Sequence, residues 1–288
     1  MPGFGIRRRT FTRVKRFLGR VAIHTILIVL AITWLVPFLW LVSSSLKVEK
    51  QLFTWPPIWI PNPVDWHNYV EAVQAIPFFV YLRNTVLIAL LSSVGSMVSC
   101  PPVAYSLSRL QWPGRNALFV VTLATMMVPF QVTMIPVFLI FNKLGWINTW
   151  LPLIVPEFFG SAFFIFLLRQ FFFTIPTELS DAARIDGASE SLIFLRIVLP
   201  LSRPVLAVIV LFQTLWKWTD FIGPLIYLSR EDLYTISLGL QQFVSRSGQT
   251  PWTLWLAAST LVTLPVVILF IFTQQYFIEG ITFTGLKG

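Results

Sequence analysis

Four side chains suited to holding a small hydrophilic solute recur at helical spacing within an apolar stretch of this sequence. Their positions follow i, i+3, i+4 and i+7, so a helix places on one face Gln213, Trp216, Lys217 and Asp220. An indole ring stacks on the C–H groups of a sugar, while amide and carboxylate groups hydrogen-bond its hydroxyls. We therefore expect this stripe to border a path for such a solute. Alternatively, Lys217 and Asp220 pair with each other or with a partner subunit.

A hydrophilic segment, DAARIDGASESLIFLRIVLP at 181–200, interrupts the apolar chain. Just before it, Thr177 after Pro176 predicts a helix start, because threonine caps helices and acidic residues in a first turn offset the helix dipole. Four mostly small residues share one face of this helix: Leu179, Ala182, Ala183 and Asp186. Such a face lets another backbone come close, so we expect either a dock for a cytoplasmic protein or an amphipathic loop lying on the membrane surface.

The same segment continues as a turn and a second helix. Gly187 suits a turn or helix C-cap, where positive φ costs little. Ser189 and Glu190 predict the next helix start, and Pro200 predicts its end or a kink. An apolar edge along this second helix is formed by Ile193, Ile197 and Leu199. The segment is therefore predicted to be helix, glycine turn, helix.

The composition places these segments in a membrane protein. Hydrophobic residues make up 56% of the 288 positions and charged residues only 11%, against about 25% in soluble domains. Hydrocarbon-length apolar windows lie near 21–45, 85–108, 117–141, 149–172, 204–228 and 255–278. We expect an all-α membrane protein with six transmembrane helices, comprising a basic N-terminus at 1–20 and a transmembrane domain at 21–288.

The basic residues report orientation rather than nucleic-acid binding, although the net charge is +9. An acid-free cluster precedes the first apolar window and contains Arg7, Arg8, Arg9, Arg13, Lys15, Arg16 and Arg20. This predicts a cytoplasmic N-terminus, and six spans return the C-terminus to the same side. A cleaved signal peptide is the alternative, but the apolar run is too long and lacks an A-x-A-like site.

The sequence carries no pattern that would supply chemistry of its own. His24 and His67 are far apart in the sequence, and no Cys or His cluster has metal-ligand spacing. The single cysteine, Cys100, excludes an internal disulfide. Neither a G-x-S-x-G nucleophile motif nor a G-x-x-x-x-G-K-S/T phosphate loop occurs. We therefore expect no catalysis and no cofactor bound by this chain.

The spacing of the hydrophilic segment resembles the EAA loop of ABC importer permeases. The matching positions are Asp181-Ala182-Ala183, Gly187, Ile197 and Leu199-Pro200. Asp181 stands where that family usually has glutamate, which keeps the charge on a shorter side chain. The resemblance implies the type I ABC importer permease fold, with the coupling loop at about 175–204.

Further motifs look like those of carbohydrate-importer permeases related to the smaller membrane subunit of the maltose transporter. They cover most of the chain from about residue 68: NTV at 84–86, AYSLSR at 104–109, PGR at 113–115, MMVPFQVTMIPVFLIFNKLGWINTW at 126–150, FLLRQFFFTIPTELSDAARIDGAS at 166–189 and GITFTGLKG at 280–288. In one departure, Thr219 of WTDF replaces the usual asparagine. The resemblance implies an importer for sugars or related compounds.

By this resemblance, the loop would dock in a cleft of a cytoplasmic ATPase subunit. The contacting residues would be Asp181, Ala182, Ala183, Asp186 and Gly187, and the tail 285–288 would reach toward the ATPase dimer. ATP and Mg²⁺ would then belong to two ATP-binding partner subunits. A second homologous permease subunit and an extracytoplasmic solute-binding protein would complete an alternating-access importer in a bacterial or archaeal inner membrane.

Two other classes of protein compete with this interpretation. A secondary carrier or channel would work without ATP, but the threefold P-x-D/E-x-x-K/R repeat of mitochondrial carriers and the paired NPA motifs of aquaporins are absent. A membrane-embedded enzyme would need clustered acids, histidines or metal ligands in its loops. The residues do not select among sugars, oligosaccharides and glycerol phosphates.

Overall fold

The computed structural model describes residues 4–245 and 250–282, with side chains from 17 to 244 and from 250 to 275. In those ranges the secondary structure is helical, without a strand. The α-helices are α1 Phe4–Ser45, α2 His67–Ala75, α3 Phe78–Ser108, α4 Arg115–Thr125, α5 Phe130–Lys143, α6 Leu151–Ile154, α7 Ala162–Thr174, α8 Thr177–Ile185, α9 Glu190–Ile193, α10 Leu199–Leu201, α11 Arg203–Thr219, α12 Ile222–Tyr227, α13 Ile236–Leu240, α14 Gln242–Ser245 and α15 Trp252–Thr282. Short 3₁₀ segments occupy Glu49–Gln51, Val155–Phe159 and Glu231–Leu233, and a π-helical turn occupies Phe194–Val198.

Four helical stretches are long and apolar enough to cross a membrane alone: Phe17–Ser45, Phe78–Ser108, Leu151–Thr174 and Trp252–Gln275. Two bent helix pairs also qualify if each counts as one span, giving up to six. The predicted window at 117–141 covers most of the first pair, and the window at 204–228 covers only the second helix of the second pair. Neither window is one unbroken helix.

The bend in the first pair lies at Pro129. Helices α4 and α5 meet at 95° across a short break, and Pro129 has extended backbone at the start of α5. Proline also disfavours helical backbone in the residue before it, so α4 cannot run through into α5. In the second pair, Glu190–Leu201 and Arg203–Thr219 meet at 75°. Within the window 204–228, α11 ends at Thr219 and α12 begins at Ile222.

The chain divides into two compact units, one within residues 1–72 and 251–260, the other within 73–250 and 261–288. In the first unit the amide of Asn68 donates hydrogen bonds to the carbonyl oxygens of Ser45 (3.0 Å) and Lys47 (2.9 Å). The first bond satisfies a carbonyl that the end of α1 leaves without a helical partner, and the second satisfies one in the loop that follows.

Helix α3 is the centre of the second unit, where it packs against α7, α11 and the 3₁₀ segment Val155–Phe159. Small residues permit the close packing on the 3₁₀ segment. A Cβ added to Gly95 would lie 2.7 Å from the Phe158 ring, and the Ser99 hydroxyl donates a 2.9 Å hydrogen bond to the carbonyl oxygen of Glu157. Small and hydroxylated residues are common where membrane helices approach closely. The packing therefore fixes Glu157 beside α3.

Candidate functional site

A cavity of about 1170 Å³ lies in the second unit, bounded by α5, α6, α11, α12 and the 3₁₀ segment Val155–Phe159. Its lining contains all four residues of the predicted path stripe: Gln213, Trp216, Lys217 and Asp220. The first three lie on α11, whereas Asp220 follows the end of that helix. The structure thus brings the predicted stripe together at one cavity.

Lys217 is paired with Glu157, which the sequence did not identify as its partner. The Lys217 Nζ lies 2.8 Å from Glu157 Oε1, and their side chains are 15% and 20% exposed. The alternative that Lys217 pairs with Asp220 is wrong. A carboxylate in an apolar segment needs a partner. The isolated Glu157 was therefore the feature of the sequence that could have indicated a partner for Lys217.

Asp220 instead holds the start of the next helix. Its Oδ1 accepts a 3.0 Å hydrogen bond from the backbone N–H of Gly223, in the first turn of α12. Its backbone oxygen accepts a 2.8 Å bond from the hydroxyl of Ser237. Aspartate before a helix satisfies a free N–H group there. Asp220 therefore combines a structural role with its place on the cavity wall.

The remaining two stripe residues, Gln213 and Trp216, differ in their contacts and exposure. Gln213 is 1% exposed, and neither its Oε1 nor its Nε2 has a hydrogen-bond partner. Trp216 stacks on Phe164, with ring centroids 4.9 Å apart and planes at 18°, yet 45% of its surface is exposed. The cavity wall thus contains an exposed indole, whereas the Gln213 amide is enclosed by protein without a hydrogen-bond partner.

The hydrophilic segment forms the predicted helix, glycine turn and helix. Gly187 has φ of +81°. Its N–H donates to the carbonyl oxygen of Arg184, and the N–H of Ala188 donates to that of Ala183, the pairing of a Schellman C-cap. The Ser189 hydroxyl accepts the N–H of Leu192 and caps α9.

One detail at the start of this segment differs from the prediction. Thr177 is the first residue of α8 and makes no capping hydrogen bond through its side chain. The second helix continues through a π-helical turn and ends at Leu201, one residue after Pro200. The chain then bends by 75° into α11, so the end or kink predicted at Pro200 is confirmed.

Four of the five predicted docking residues are exposed: Asp181, Ala182, Asp186 and Gly187. Ala183 is half-buried and packs against the hydrophobic core, so it faces the opposite way from Ala182. Ile185, which is not among the predicted docking residues, is 87% exposed. An exposed isoleucine beside small residues adds apolar surface to the proposed docking face. The tail 285–288 lies outside the described residues.

A chain of charged contacts fixes this segment internally. Arg184 lies 2.7 Å from Asp181 Oδ1 and 2.7 Å from Glu190 Oε1, and Glu190 Oε2 accepts a 2.7 Å bond from the Tyr105 hydroxyl. The hydrogen bond to Glu190 is the main cause that raises the pKa of Arg184. The contacts join α8 to α9 and α9 to α3. The sequence assigned no role to Arg184, and it marked Tyr105 only as part of the AYSLSR motif.

Among the described residues, no group of three or more His, Cys, Asp or Glu side chains could hold a metal ion. A helical membrane chain with a polar-edged cavity and an exposed hydrophilic helix pair has the features expected of a transport permease. The sequence profile of the family described as "Binding-protein-dependent transport system inner membrane component" matches residues 101–282. The chain belongs to this family and is a permease of a binding-protein-dependent ABC importer.

Relatives and solved structures agree with this assignment. The arabinooligosaccharides transport system permease protein AraQ of Halalkalibacterium halodurans is 36% identical over 232 residues, which cover 80% of this chain and 82% of the relative. Its Bacillus subtilis counterpart is 31% identical over 275 residues, covering 93% and 96%. A chain from a bacterial ABC transporter that imports the acidic polysaccharide alginate has the same fold, with a TM-score of 0.75 and 24% identity over 96% of this chain and 100% of that one.

Proposed function

We propose that this chain forms half of the translocation path of an ATP-driven importer for sugars or related compounds. A second, homologous permease subunit forms the other half, because six spans without an internal repeat make an incomplete path. The names of the arabinooligosaccharide relatives support the sugar class. An extracytoplasmic solute-binding protein delivers the solute to the outer mouth.

The proposed topology has six spans with both termini in the cytoplasm. Each bent pair then counts as one span. The acid-free basic cluster before the first span supports a cytoplasmic N-terminus, because lysine and arginine are enriched in cytoplasmic segments. The segment 175–204 is cytoplasmic in this arrangement and faces the ATPase subunits.

The single observation that carries the proposal is the exposed face of α8. Asp181 and Ala182 of α8 are exposed, as are Asp186 and Gly187 directly after it, and a Cβ added at Gly187 would meet nothing within 4 Å. A partner can therefore approach the backbone there. Two ATPase subunits bind and hydrolyse ATP with Mg²⁺, and their closure moves this loop.

The movement reaches the cavity through α3. Tyr105 on α3 is bonded to Glu190 of the loop, and Ser99 on the same helix is bonded to Glu157 at the cavity. Six residues separate these positions, a distance of about 9 Å along a helix. A displacement of the loop therefore shifts one wall of the cavity, which is the geometry that alternating access requires.

Co-purification of the ATPase subunit tests the docking face. Gly187→Asp and Ala182→Glu place a charged side chain on that face and should release the ATPase subunit. Gly145→Asp is the matched control, because Gly145 is an exposed glycine with φ of +70° and open space around it. Loss with both loop variants and retention with the control is expected. Retention at the wild-type level in both loop variants would overturn the proposal.

A further inference from the structure

Arg109 directly follows α3 and caps the end of α7 from this neighbouring helix. Its Nη2 donates hydrogen bonds to the backbone oxygens of Phe172 and Ile175, at the end of α7, where the last carbonyls of a helix have no intrahelical partner. A guanidinium cation at a helix C-terminus also offsets the negative end of the helix dipole. The side chain therefore attaches α3 to the backbone two residues before α8 begins.

The surroundings of the Arg109 guanidinium make these two bonds important. Phe172 and Ile175 are buried, at 0% and 7% exposure, so their carbonyl groups need partners within the protein. Burial is the main cause that lowers the pKa of Arg109, and the charges of Arg184 and Asp181 on α8 shift it in opposite directions. The guanidinium is therefore close enough to α8 to interact with its charges, and its removal takes a bond from both buried carbonyls at once.

Tyr105 and Arg109 are four positions apart and lie on the same side of the end of α3. Tyr105 holds Glu190 at the start of α9, whereas Arg109 holds the end of α7. The Tyr105 ring also packs edge-on against the Phe172 ring, with centroids 6.5 Å apart. Helix α8 lies between α7 and α9 in the chain, so both helices that flank α8 are attached to the same end of α3.

We propose that Arg109 is a positioning residue, which holds the docking helix α8 in a fixed orientation to the membrane-spanning helix α3. The inference rests on the proposed function and deepens it, because it names the contact that makes α8 and α3 move together when the ATPase subunits close. Without this contact, α8 keeps its exposed docking face, while the hydrogen bond of Tyr105 with Glu190 holds the α9 side alone. Closure of the ATPase subunits then turns α8 without moving α3 by the same amount.

Pulsed double electron–electron resonance on the assembled importer in lipid nanodiscs tests this role. Nitroxide labels are attached at Arg83→Cys, near the start of α3, and at Thr177→Cys, the first residue of α8. Both positions are exposed, and the native Cys100 is buried and stays unlabelled. Arg83 lies 26 residues before Arg109, about 39 Å along a helix. The distance between the labels therefore reports the orientation of α8 relative to the whole of α3.

With Arg109 in place, we expect one narrow distribution of distances between the labels. Arg109→Gln should widen this distribution at least about twofold, because the shorter amide loses two charge-assisted hydrogen bonds. Arg109→Lys should restore the narrow distribution, because one nitrogen makes both bonds and an ammonium offers three donor hydrogens. Arg115→Gln is the matched control and should leave the distribution unchanged, because Arg115 Nη1 donates its 2.7 Å bond to the carbonyl oxygen of Leu110, outside the docking segment.

Two results with the variants would overturn the role of Arg109. One is an unchanged distribution in Arg109→Gln together with a lower melting temperature, which marks a purely structural residue. The other is a distribution in Arg109→Lys as wide as that in Arg109→Gln.

A third measurement needs no substitution of Arg109 and decides the matter even if Arg109→Gln does not assemble. The distance between the labels should be the same without nucleotide and with ATP and vanadate, and a changed distance would also overturn the role. The ATPase subunit is followed in the same samples. Retained ATPase with any of these three contrary results removes the role of Arg109 and leaves the proposed function standing, whereas ATPase retained in the docking-face variants removes the proposed function itself.

Discussion

The Tyr105 hydroxyl on α3 donates a 2.7 Å hydrogen bond to Oε2 of Glu190, the first residue of α9. The Tyr105 ring also packs against Phe194, with centroids 5.1 Å apart. Because Glu190 binds Arg184 through its other oxygen, this tyrosine links both of these charged residues of the hydrophilic segment to the central helix of its unit.

Tyr105→Phe should loosen the segment 181–193 while leaving the ring packing in place. A hydrogen bond to a charged group contributes about 1.5–3 kcal/mol, and partial exposure reduces this to about 1 kcal/mol. Amide hydrogen exchange across 181–193 should therefore accelerate several-fold. Tyr234→Phe, which removes a hydroxyl bonded to Ser229 elsewhere, is the control. Equal exchange rates across 181–193 in both variants would show that the Tyr105 hydrogen bond does not stabilise this segment.

Asp181→Ala should separate docking from local stability. Arg184 keeps its contact with Glu190, and an exposed i,i+3 ion pair contributes only about 0.3–0.5 kcal/mol. The melting temperature should hardly change, whereas the retained ATPase subunit should decrease in pull-down assays. Asp181→Glu, which restores the longer acid, should keep the ATPase. A large loss of melting temperature in Asp181→Ala would instead assign this carboxylate a structural role.

Lys217→Met should destabilise the second unit more than the loss of both charges does. Removing one partner of a buried ion pair costs about 3–5 kcal/mol, because the other charge stays buried alone. The exposure of 15% and 20% lowers this cost. The double variant Lys217→Met with Glu157→Gln should melt closer to the wild type. A double variant less stable than Lys217→Met would contradict the pairing.

Turns and helix caps that depend on neighbouring residues could be predicted from the sequence. The turn at Gly187 and the cap at Ser189 depend on bonds within a few positions, and both formed as predicted. The partner of Lys217 could not be read, because Glu157 belongs to a different segment and the pair exists only through the packing of α11 beside the 3₁₀ segment.

The membrane-spanning helices were also only partly predictable. Apolar windows identified the membrane character of the chain, but hydropathy does not give the angle at which consecutive helices meet. Pro129 was visible as a breaker, whereas the 95° angle between α4 and α5 depends on what packs around them. The inward face of Ala183 similarly depends on the core behind α8. Turns and caps formed by neighbouring residues were therefore predictable from the sequence. The angles between helices and the direction in which a side chain faces were not.

Gly95→Ala should disturb the cavity through the packing of α3. The new methyl group would lie 2.7 Å and 2.9 Å from carbons of the Phe158 ring and 3.1 Å from the backbone carbonyl carbon of Glu157. Overpacking of this kind costs about 1–3 kcal/mol, and the 3₁₀ segment must move with Glu157. Gly19→Ala is the matched control, since nothing lies within 4 Å of a Cβ there, and alanine favours a helix by about 1 kcal/mol over glycine. Melting curves should show a loss for Gly95→Ala and none for Gly19→Ala; equal melting temperatures would mean that Phe158 yields without cost and that this contact does not position Glu157.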